Sequence, residues 1–543
     1  MISAAVVAAV VGLVPAVAQA AGPSAAGASP TTGAGSAPAP AAVEQAAKDA
    51  LAKDRAAKAG ARAGAPKAVA GPGAAPQDPY FELAMGSTAF YGHGVDIAVS
   101  VATDLTEGRI VYDIDWGDGR ILQSTGDVTQ DRLFEHLFAE VGSHRITITA
   151  TEQTSKRTAT IVRDVLVNGS EFVPRTPARL LDTRDGTGAP AAKAVAPYAT
   201  TRVRIAGSAG IPAGVTAVAL NLTVTDATDA GHLIAYASGT PQPTTSNVNF
   251  TAGQSVPTLA IVPVGADGYV ELANRSGGTV DLIADVTGYF TQSAANGYTS
   301  VKPSRIADTR DGRGTARGQV AGQSTFAVQV AGQGGVPAQG VAAVALNVTV
   351  TDPKGPGHLT VFPSGGQAPS TSNLNFTTGQ TVANAVIVPV GPDGRISLRN
   401  GAWAGTDVIV DVTGYYSADS EAAYLPENPK RAYDSRLWGP LAGQQYKSLG
   451  MWQPGRRLEA VVLNTTVTDT QGSGHLSVAP DPLDSATVTP TPPDSSVLNW
   501  TKGATVSNLV QADIFLTTGI DVWNRGWEPI DLIVDRVGAY DRN

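Results

Sequence analysis

Short runs of alternating apolar and polar residues dominate the chain from about residue 80 onward. Two examples are residues 95–101, Val-Asp-Ile-Ala-Val-Ser-Val, and residues 144–151, His-Arg-Ile-Thr-Ile-Thr-Ala-Thr. A period of two is typical of half-buried antiparallel strands. Turn residues such as Gly-Pro-Asp-Gly over 391–394 separate further runs of this kind. The pattern therefore predicts an all-β protein.

The chain from about residue 172 onward contains three copies of one pattern. The copies open with related hexapeptides that start at Arg179, Arg305 and Arg431, with equal spacing, and each closes with an Asp-x-Ile-x-Asp segment. A unit of about 120 residues is large enough to enclose its own core, unlike a solenoid repeat. We therefore expect three tandem β-sandwich domains, with a jelly roll or a closed barrel as alternatives. Their expected bounds are 172–292, 298–418 and 424–543.

The segment before the copies, residues 77–168, carries a different signature. It contains Tyr-Asp-Ile-Asp-Trp-Gly-Asp-Gly over 112–119, then His-Leu-Phe from His136, and a Thr-rich strand after Gly142. These motifs resemble the PKD domain, an immunoglobulin-like sandwich found in secreted bacterial proteins. The resemblance implies that fold and a role as a spacer or adhesion module.

Several residues of this segment have an expected structural role. Trp116 is predicted to fill the core, while Gly117 and Gly119 permit a turn whose backbone Asp118 can hydrogen-bond. His144 stands where the PKD family usually has the tyrosine of a Gly-x-Tyr corner. The sequence therefore does not predict how this corner packs, although the sandwich fold is still expected.

The N-terminal region lacks any strand pattern. Residues 1–20 form an uncharged apolar run that ends in Ala-Gln-Ala, which predicts a signal peptide cleaved after Ala20. The start of the run lacks the usual Lys or Arg, so an uncleaved N-terminal anchor is the alternative. Residues 21–76 are rich in Ala, Gly and Pro and predict a disordered linker, with a marginal helix at most in its Ala-rich centre. We expect a secreted protein with no membrane span after cleavage of the signal peptide.

Composition narrows the possible functions. The chain of 543 residues has 38 basic and 47 acidic residues and a net charge of −9, which disfavours nucleic acid as a partner. It has no cysteine, which excludes disulfides and thiol chemistry. The Ala/Gly/Pro bias and the repeat motifs resemble those of secreted actinobacterial proteins. That resemblance implies an organisation and a location but no activity.

An aspartate followed by a nearby histidine recurs in every copy. A hydrolase can use such a pair, but no Gly-x-Ser-x-Gly motif accompanies it, so turn formation and packing are the expected roles. Neighbouring arginines compete for the other recurrent aspartates, so we expect Arg–Asp bridges and predict no catalytic residue, metal site or cofactor. The pairs are Asp226 with His232, Asp352 with His358, and Asp469 with His475.

The third copy holds most of the seven tryptophans of the chain. Trp523 and Trp527 flank Asn-Arg-Gly, a predicted turn, and are candidates for an exposed sugar-binding platform.

These observations favour a non-catalytic protein, secreted or on the cell surface, that acts in adhesion or binding. Its tandem β domains are expected to form an extended array in which several weak sites gain avidity. The expected partner is a cell-wall or extracellular polysaccharide, or a surface protein. A carbohydrate-binding accessory protein with a tryptophan site in the third copy is one alternative, and a secreted hydrolase is another.

Overall fold

The computed structural model describes residues 40–64, 80–453, 456–482, 490–514, 517 and 519–543. The predicted signal peptide, residues 1–20, lies outside these ranges. Within them, one α-helix is followed by antiparallel strands and a single short 3₁₀ turn. The predicted all-β class is therefore confirmed. None of the helices in the described part of the chain is long and apolar enough to cross a membrane.

Helix α1, Pro40–Gly64, packs against the first β-sheet. Val43 and Leu51 are buried on one face of the helix. The contact is close because Gly86 of the sheet has no side chain: a Cβ atom there would lie 2.1 Å from the backbone nitrogen of Leu51. The disordered linker predicted for residues 21–76 is therefore wrong over the helix, since packing on a sheet stabilises a helix that is marginal in isolation.

Seven strands form a β-sandwich after the helix: β1 Phe81–Phe90, β2 Gly94–Thr103, β3 Arg109–Asp115, β4 Ile121–Asp127, β5 Arg132–Leu137, β6 Ser143–Glu152 and β7 Thr158–Leu166. They make two antiparallel sheets with the orders β1-β2-β5 and β4-β3-β6-β7. At the corner before β6, the imidazole of His144 stacks on Phe138 with 3.6 Å between ring centroids. The histidine thus packs against an aromatic side chain at this corner.

The turn between β3 and β4 has the structure that its sequence predicts. Trp116 is buried and stacks on His136 with 4.4 Å between ring centroids. Gly117 and Gly119 adopt φ angles of 80° and 85°, in the left-handed region that favours glycine. The Asp118 carboxylate accepts a 3.0 Å hydrogen bond from the backbone N–H of Arg120, which closes the turn.

The three copies, here called repeats 1, 2 and 3, have eight strands each. Repeat 1 contains β8 Glu171–Asp182, β9 Thr200–Arg204, β10 Ala217–Thr225, β11 Gly231–Ala237, β12 Val248–Phe250, β13 Val256–Pro263, β14 Tyr269–Ser276 and β15 Asp281–Thr291. Repeat 2 contains β16 Gly297–Asp308, β17 Thr325–Gln329, β18 Val341–Thr351, β19 Gly357–Pro363, β20 Leu374–Phe376, β21 Val382–Pro389, β22 Arg395–Asn400 and β23 Asp407–Ser417. Repeat 3 contains β24 Ala423–Asp434, the 3₁₀ turn Ser435–Leu437, β25 Tyr446–Gly450, β26 Leu458–Thr468, β27 Gly474–Pro480, β28 Leu498–Trp500, β29 Val506–Asp513, β30 Gly519–Asn524 and β31 Asp531–Asp541.

Each repeat is a sandwich of two four-stranded antiparallel sheets. In repeat 1 one sheet has the order β8-β15-β10-β13; its strands contain more residues, and it is called the larger sheet. The other, smaller sheet has the order β9-β14-β11-β12. Repeats 2 and 3 have the same orders with their own strands. This is the strand order of a jelly roll, in which eight strands form two Greek keys. The predicted β-sandwich is confirmed, and the described strands do not close into a barrel.

A separate hydrophobic core fills the space between the two sheets of each repeat. In β10, alternate residues such as Val218 and Leu220 belong to this core. Ala217 and Ala219 point to the other face of the same sheet, yet they are also fully buried. The larger sheet is therefore covered on both faces.

The outer faces of the three larger sheets meet in a second core that all three repeats share. Small residues of the central strands and aromatic residues at the strand ends build it. The aromatic residues are Phe172 and Phe290 of repeat 1, Tyr298 and Tyr416 of repeat 2, and Tyr424 and Tyr540 of repeat 3. The three jelly rolls are thus joined around one buried centre, and the predicted extended array is wrong for the repeats.

A cycle of hydrogen bonds joins the repeats around this centre. The Asn221 amide of repeat 1 donates to a backbone carbonyl of repeat 2 at 2.7 Å, and Asn347 of repeat 2 donates to repeat 3 at 2.5 Å. Asn464 of repeat 3 donates back to repeat 1 at 2.5 Å. The same position therefore bonds the next repeat each time, which gives the assembly a pseudo-threefold arrangement. All three asparagines are buried.

Candidate functional site

The opening motif of each repeat takes part in an ion-pair network around two buried carboxylates. In repeat 1, Arg179 donates to Asp285 at 2.9 Å and to Asp182 at 2.9 Å, and Arg184 also binds Asp182. Burial raises the pKa of Asp285, whereas the hydrogen bond from Arg184 lowers the pKa of Asp182. Repeats 2 and 3 form the same network. The network fastens the first strand to the last, as the Arg–Asp bridge interpretation predicts.

The recurrent aspartates lie in turns. Asp226, Asp352 and Asp469 have left-handed φ angles of 50°, 47° and 50° directly after strands β10, β18 and β26. They are exposed. An Asp side chain tolerates this conformation better than most, which supports the predicted turn role.

The recurrent histidines lie one residue into the next strand of each repeat. Partial burial lowers the pKa of His232, His358 and His475, which favours neutral rings. Among the hydrogen bonds of the described residues, none joins one of these rings to the aspartate of its pair. The structure therefore does not bring the predicted Asp/His pairs together as catalytic dyads. In the described ranges, no group of three or more His, Cys, Asp or Glu side chains is arranged to hold a metal ion.

The two candidate tryptophans of repeat 3 differ in exposure. Trp527 is 83% exposed, but Trp523 is only 6% exposed. Trp523 belongs to β30, where it lies between Tyr446 of β25 and Ser477 of β27. Its indole packs on the Tyr446 ring with 4.4 Å between ring centroids. The predicted platform of both indoles is therefore wrong. Trp523 is covered because it lies inside a sheet, whereas Trp527 follows the end of the strand.

A second exposed tryptophan occupies the equivalent loop of repeat 2. Trp403, which was not a sequence candidate, is 90% exposed. Trp403 and Trp527 each follow the last residue of the preceding strand, Asn400 or Asn524, by three positions. Aligning the copies at this asparagine would have identified the pair. Repeat 1 has Gly277 at the corresponding place and so lacks an indole there.

The buried asparagine holds each tryptophan loop in place. The Asn400 amide donates to three backbone carbonyls on either side of the loop at 2.9 to 3.2 Å, and Asn524 does the same at 2.9 to 3.2 Å. Glycines allow the neighbouring loop to approach: a Cβ at Gly322 would lie 2.2 Å from the carbonyl oxygen of Trp403. Gly443 has the same relation to Trp527, at 2.0 Å. Both indoles are thus presented on well-anchored backbone.

A groove at the boundary between repeats 1 and 2 lies beside the first of these loops. Residues 253–256 of repeat 1 form one wall, and residues of β19, β20 and the β20–β21 turn of repeat 2 form the other. Its volume is about 490 Å³. The Asn375 amide crosses the groove and donates to the Ser255 hydroxyl at 3.1 Å.

Comparison with known proteins gives structural likeness only. No protein-family model matches the chain, and no curated protein matches it. Among solved structures, a SusE-like protein aligns at 9% identity over 38% of this chain and 96% of its own, with a TM-score of 0.13. A protein described as a triple jelly roll of an archaeal virus turret aligns at 10% identity over 69% and 90%, with a TM-score of 0.15. A tetra-tandem repeat from the extending region of a large adhesion protein aligns at 13% identity over 86% and 100%, with a TM-score of 0.14. At these TM-scores the matches carry no argument about function.

Proposed function

We propose that this chain is a non-catalytic extracellular binding protein that attaches to polysaccharide through the tryptophan loops of repeats 2 and 3. The observation that carries the proposal is the exposure of the two indoles, 90% for Trp403 and 83% for Trp527, in equivalent loops. The predicted signal peptide over residues 1–20 supports export. A surface protein is the competing possibility for the partner, and a pull-down on insoluble polysaccharides distinguishes a polysaccharide partner from a protein partner.

Physical chemistry explains why such loops suit a sugar ligand. An indole is a large, flat, mostly apolar surface, and leaving it in water is unfavourable unless a partner covers it. Sugar rings present apolar C–H faces between hydroxyl groups, so one indole can cover one such face. The bonds of Asn400 and Asn524 hold the two loops before binding, and little conformational entropy is then lost when ligand arrives.

The shared core makes the two loops parts of one body. Because repeats 2 and 3 are joined through buried residues such as Tyr416 and Tyr540, the two loops keep a defined position relative to each other. A polymer that reaches both sites binds the second with a high effective concentration. Weak binding at each loop is then sufficient for retention on a polymer surface.

The proposal is tested by pull-down on insoluble polysaccharides, namely cellulose, chitin and isolated cell walls, with the chain from residue 21. We expect wild type to be retained on at least one of them and Trp403→Ala/Trp527→Ala to be released. The matched control is Trp438→Ala/Trp452→Ala, which removes two other exposed indoles, 81% and 62% exposed, from repeat 3. The control should be retained like wild type.

Three results would contradict the proposal. The double variant Trp403→Ala/Trp527→Ala is called the loop variant. Equal retention of wild type and the loop variant would show that the indoles of Trp403 and Trp527 are not the binding surface. Failure of wild type to bind any polysaccharide, or loss of binding after protease treatment of the cell walls, would favour a protein partner.

A further inference from the structure

The groove between repeats 1 and 2 lies beside the tryptophan loop of repeat 2, and two lining residues contact that loop. The His358 ring lies directly over Gly401, where a Cβ would come within 2.3 Å of the ring. Gly357 approaches Ala402 in the same way, at 2.4 Å. Trp403 is the next residue after Ala402, so the tryptophan loop starts beside the wall of the groove.

The described residues that line this groove offer hydrogen-bonding groups without charge. They include the amides of Gln254, Asn375 and Gln380, the hydroxyl of Ser255 and the imidazole of His358, and no Asp, Glu, Lys or Arg. Uncharged amides and hydroxyls both donate and accept hydrogen bonds, which matches the hydroxyl groups of a sugar. The lining residues supply no counter-charge for an ionic ligand, although the charge of Arg399, outside the lining, reaches the His358 ring.

We propose that this groove is a binding subsite for an uncharged sugar unit of a polysaccharide, and that the neighbouring unit stacks on Trp403. The inference rests on the proposed function and names its ligand class and its location. The subsite exists only in the assembled protein, because repeat 1 supplies residues 253–256 and repeat 2 supplies the opposite wall. A single isolated repeat would lack it.

The pseudo-threefold arrangement provides a matched control. Thr505 of repeat 3 corresponds to Ser255, at the boundary between repeats 3 and 1. That boundary has no tryptophan loop beside it, because repeat 1 carries Gly277 where repeat 2 carries Trp403. Ser255 and Thr505 are both exposed, so either position accommodates a long side chain without disturbing a core.

The experiment is affinity electrophoresis of the chain from residue 21 in native gels. The gels contain a neutral polymer (hydroxyethyl cellulose, dextran, mannan or glycol chitin) or an anionic one (carboxymethyl cellulose or polygalacturonate). We expect at least one neutral polymer to retard wild type and the anionic polymers to have no effect. Ser255→Arg, which fills the groove, should weaken retardation about tenfold, measured as the dissociation constant for the polymer. Thr505→Arg adds the same charge and should behave like wild type.

Each other outcome has a definite meaning. If Ser255→Arg binds like wild type while Trp403→Ala/Trp527→Ala does not bind, the groove inference is overturned and the proposed function stands. If the loop variant also binds normally, or if no polymer retards wild type, the proposed function fails and the inference fails with it. Stronger retardation by the anionic polymers would overturn the uncharged ligand class. Equal melting temperatures of both arginine variants and wild type verify folding.

Discussion

The side-chain amide of Asn384 in repeat 2 donates a 3.1 Å hydrogen bond to the side-chain oxygen of Asn221 in repeat 1. The carbonyl oxygen of the same Asn384 side chain accepts a 3.1 Å bond from the backbone N–H of Leu259. Asn508 makes the same two bonds between repeats 3 and 2. Thr258 occupies this position in repeat 1, and its buried hydroxyl has no hydrogen-bond partner among the described residues. The interface between repeats 3 and 1 therefore lacks the two side-chain hydrogen bonds that this position makes at the other two interfaces.

The first prediction concerns this interface. Thr258→Asn should raise the free energy of unfolding by about 2 kcal/mol, because it supplies the two bonds that the other interfaces have. Asn384→Thr, the reverse change at an equivalent site, should lower it by at least as much, because it also removes the 2.7 Å bond that the Asn384 amide donates to the Asn373 carbonyl. Chemical denaturation of both variants measures the effect. A destabilised Thr258→Asn protein would show that the third interface has no room for the amide.

The second prediction concerns the centre of the shared core. The hydroxyls of Tyr416 and Tyr540 are 2.6 Å apart, and the Gln511 amide donates to them at 2.8 and 2.9 Å. Repeat 1 has Phe290 and Ile261 at the corresponding strand positions. Gln511→Ile alone should cost about 1 to 3 kcal/mol, since it removes the donor that both buried hydroxyls accept from.

The matched control for Gln511 is the triple variant Gln511→Ile/Tyr416→Phe/Tyr540→Phe, which removes every polar member of the group. Its stability should return close to that of wild type, since no buried polar atom loses a partner. Thermal unfolding compares the two. A triple variant less stable than the single one would mean that the hydroxyls have further partners.

The third prediction concerns the docking of helix α1. Gly86→Val should displace the helix, because even a Cβ would lie 2.1 Å from the Leu51 nitrogen. Gly60→Ala is the control: Gly60 is in the helix, and a methyl group there would meet no atom within 4 Å, so the change should strengthen the helix slightly. Hydrogen exchange of residues 43–58 reports the docking. Unchanged protection in Gly86→Val would contradict this packing.

The fourth prediction concerns pH. Burial, together with the charges of Glu135 and Glu44, raises the pKa of Asp96 from 3.8 to about 6. The folded protein thus keeps this proton at pH values where the unfolded chain releases it. The contribution of Asp96 to stability is present below pH 4 and is lost as the pH rises to about 6. Glu44 belongs to α1, so the loss includes weaker docking of the helix.

Asp96→Asn tests the pH prediction because it removes the titrating group and keeps the shape. Its free energy of unfolding relative to wild type should increase from pH 4 to pH 6.5 and then level off. Denaturant titrations at several pH values measure the difference. A difference that is constant across this range would rule out the titration of Asp96 as a source of pH dependence.

Part of this architecture could be read directly from the chain. Alternation and turn residues indicate the strands, equal spacing of the Arg179, Arg305 and Arg431 motifs indicates three repeats, and Trp116 is buried as predicted. These are local signals, since a period of two and a turn residue act within a few residues. The Arg–Asp bridge also follows from chemistry, because a buried carboxylate needs a cationic partner.

The core shared by the three repeats is a long-range feature, but the sequence of β10 contains a signal for it. The signal is easily missed when each repeat is treated as an independent domain. Strand β10 reads Ala-Val-Ala-Leu-Asn-Leu-Thr-Val-Thr, and its described residues are buried throughout. Small and apolar residues on both faces indicate a strand covered on both sides. Each repeat already has its own core, so the second covered face requires another element, which the other two repeats provide.

The strand content, the number of repeats and the ion-pair motif thus follow from residues close in sequence. The shared core, the docked helix and the exposure of each indole depend on contacts between residues far apart. Trp523 and Trp527 show the difference: they are four positions apart, yet one is covered by neighbouring strands and the other is in water. Local pattern defines which face of a strand a side chain takes, but burial is decided by what packs on that face, and this requires the assembled fold.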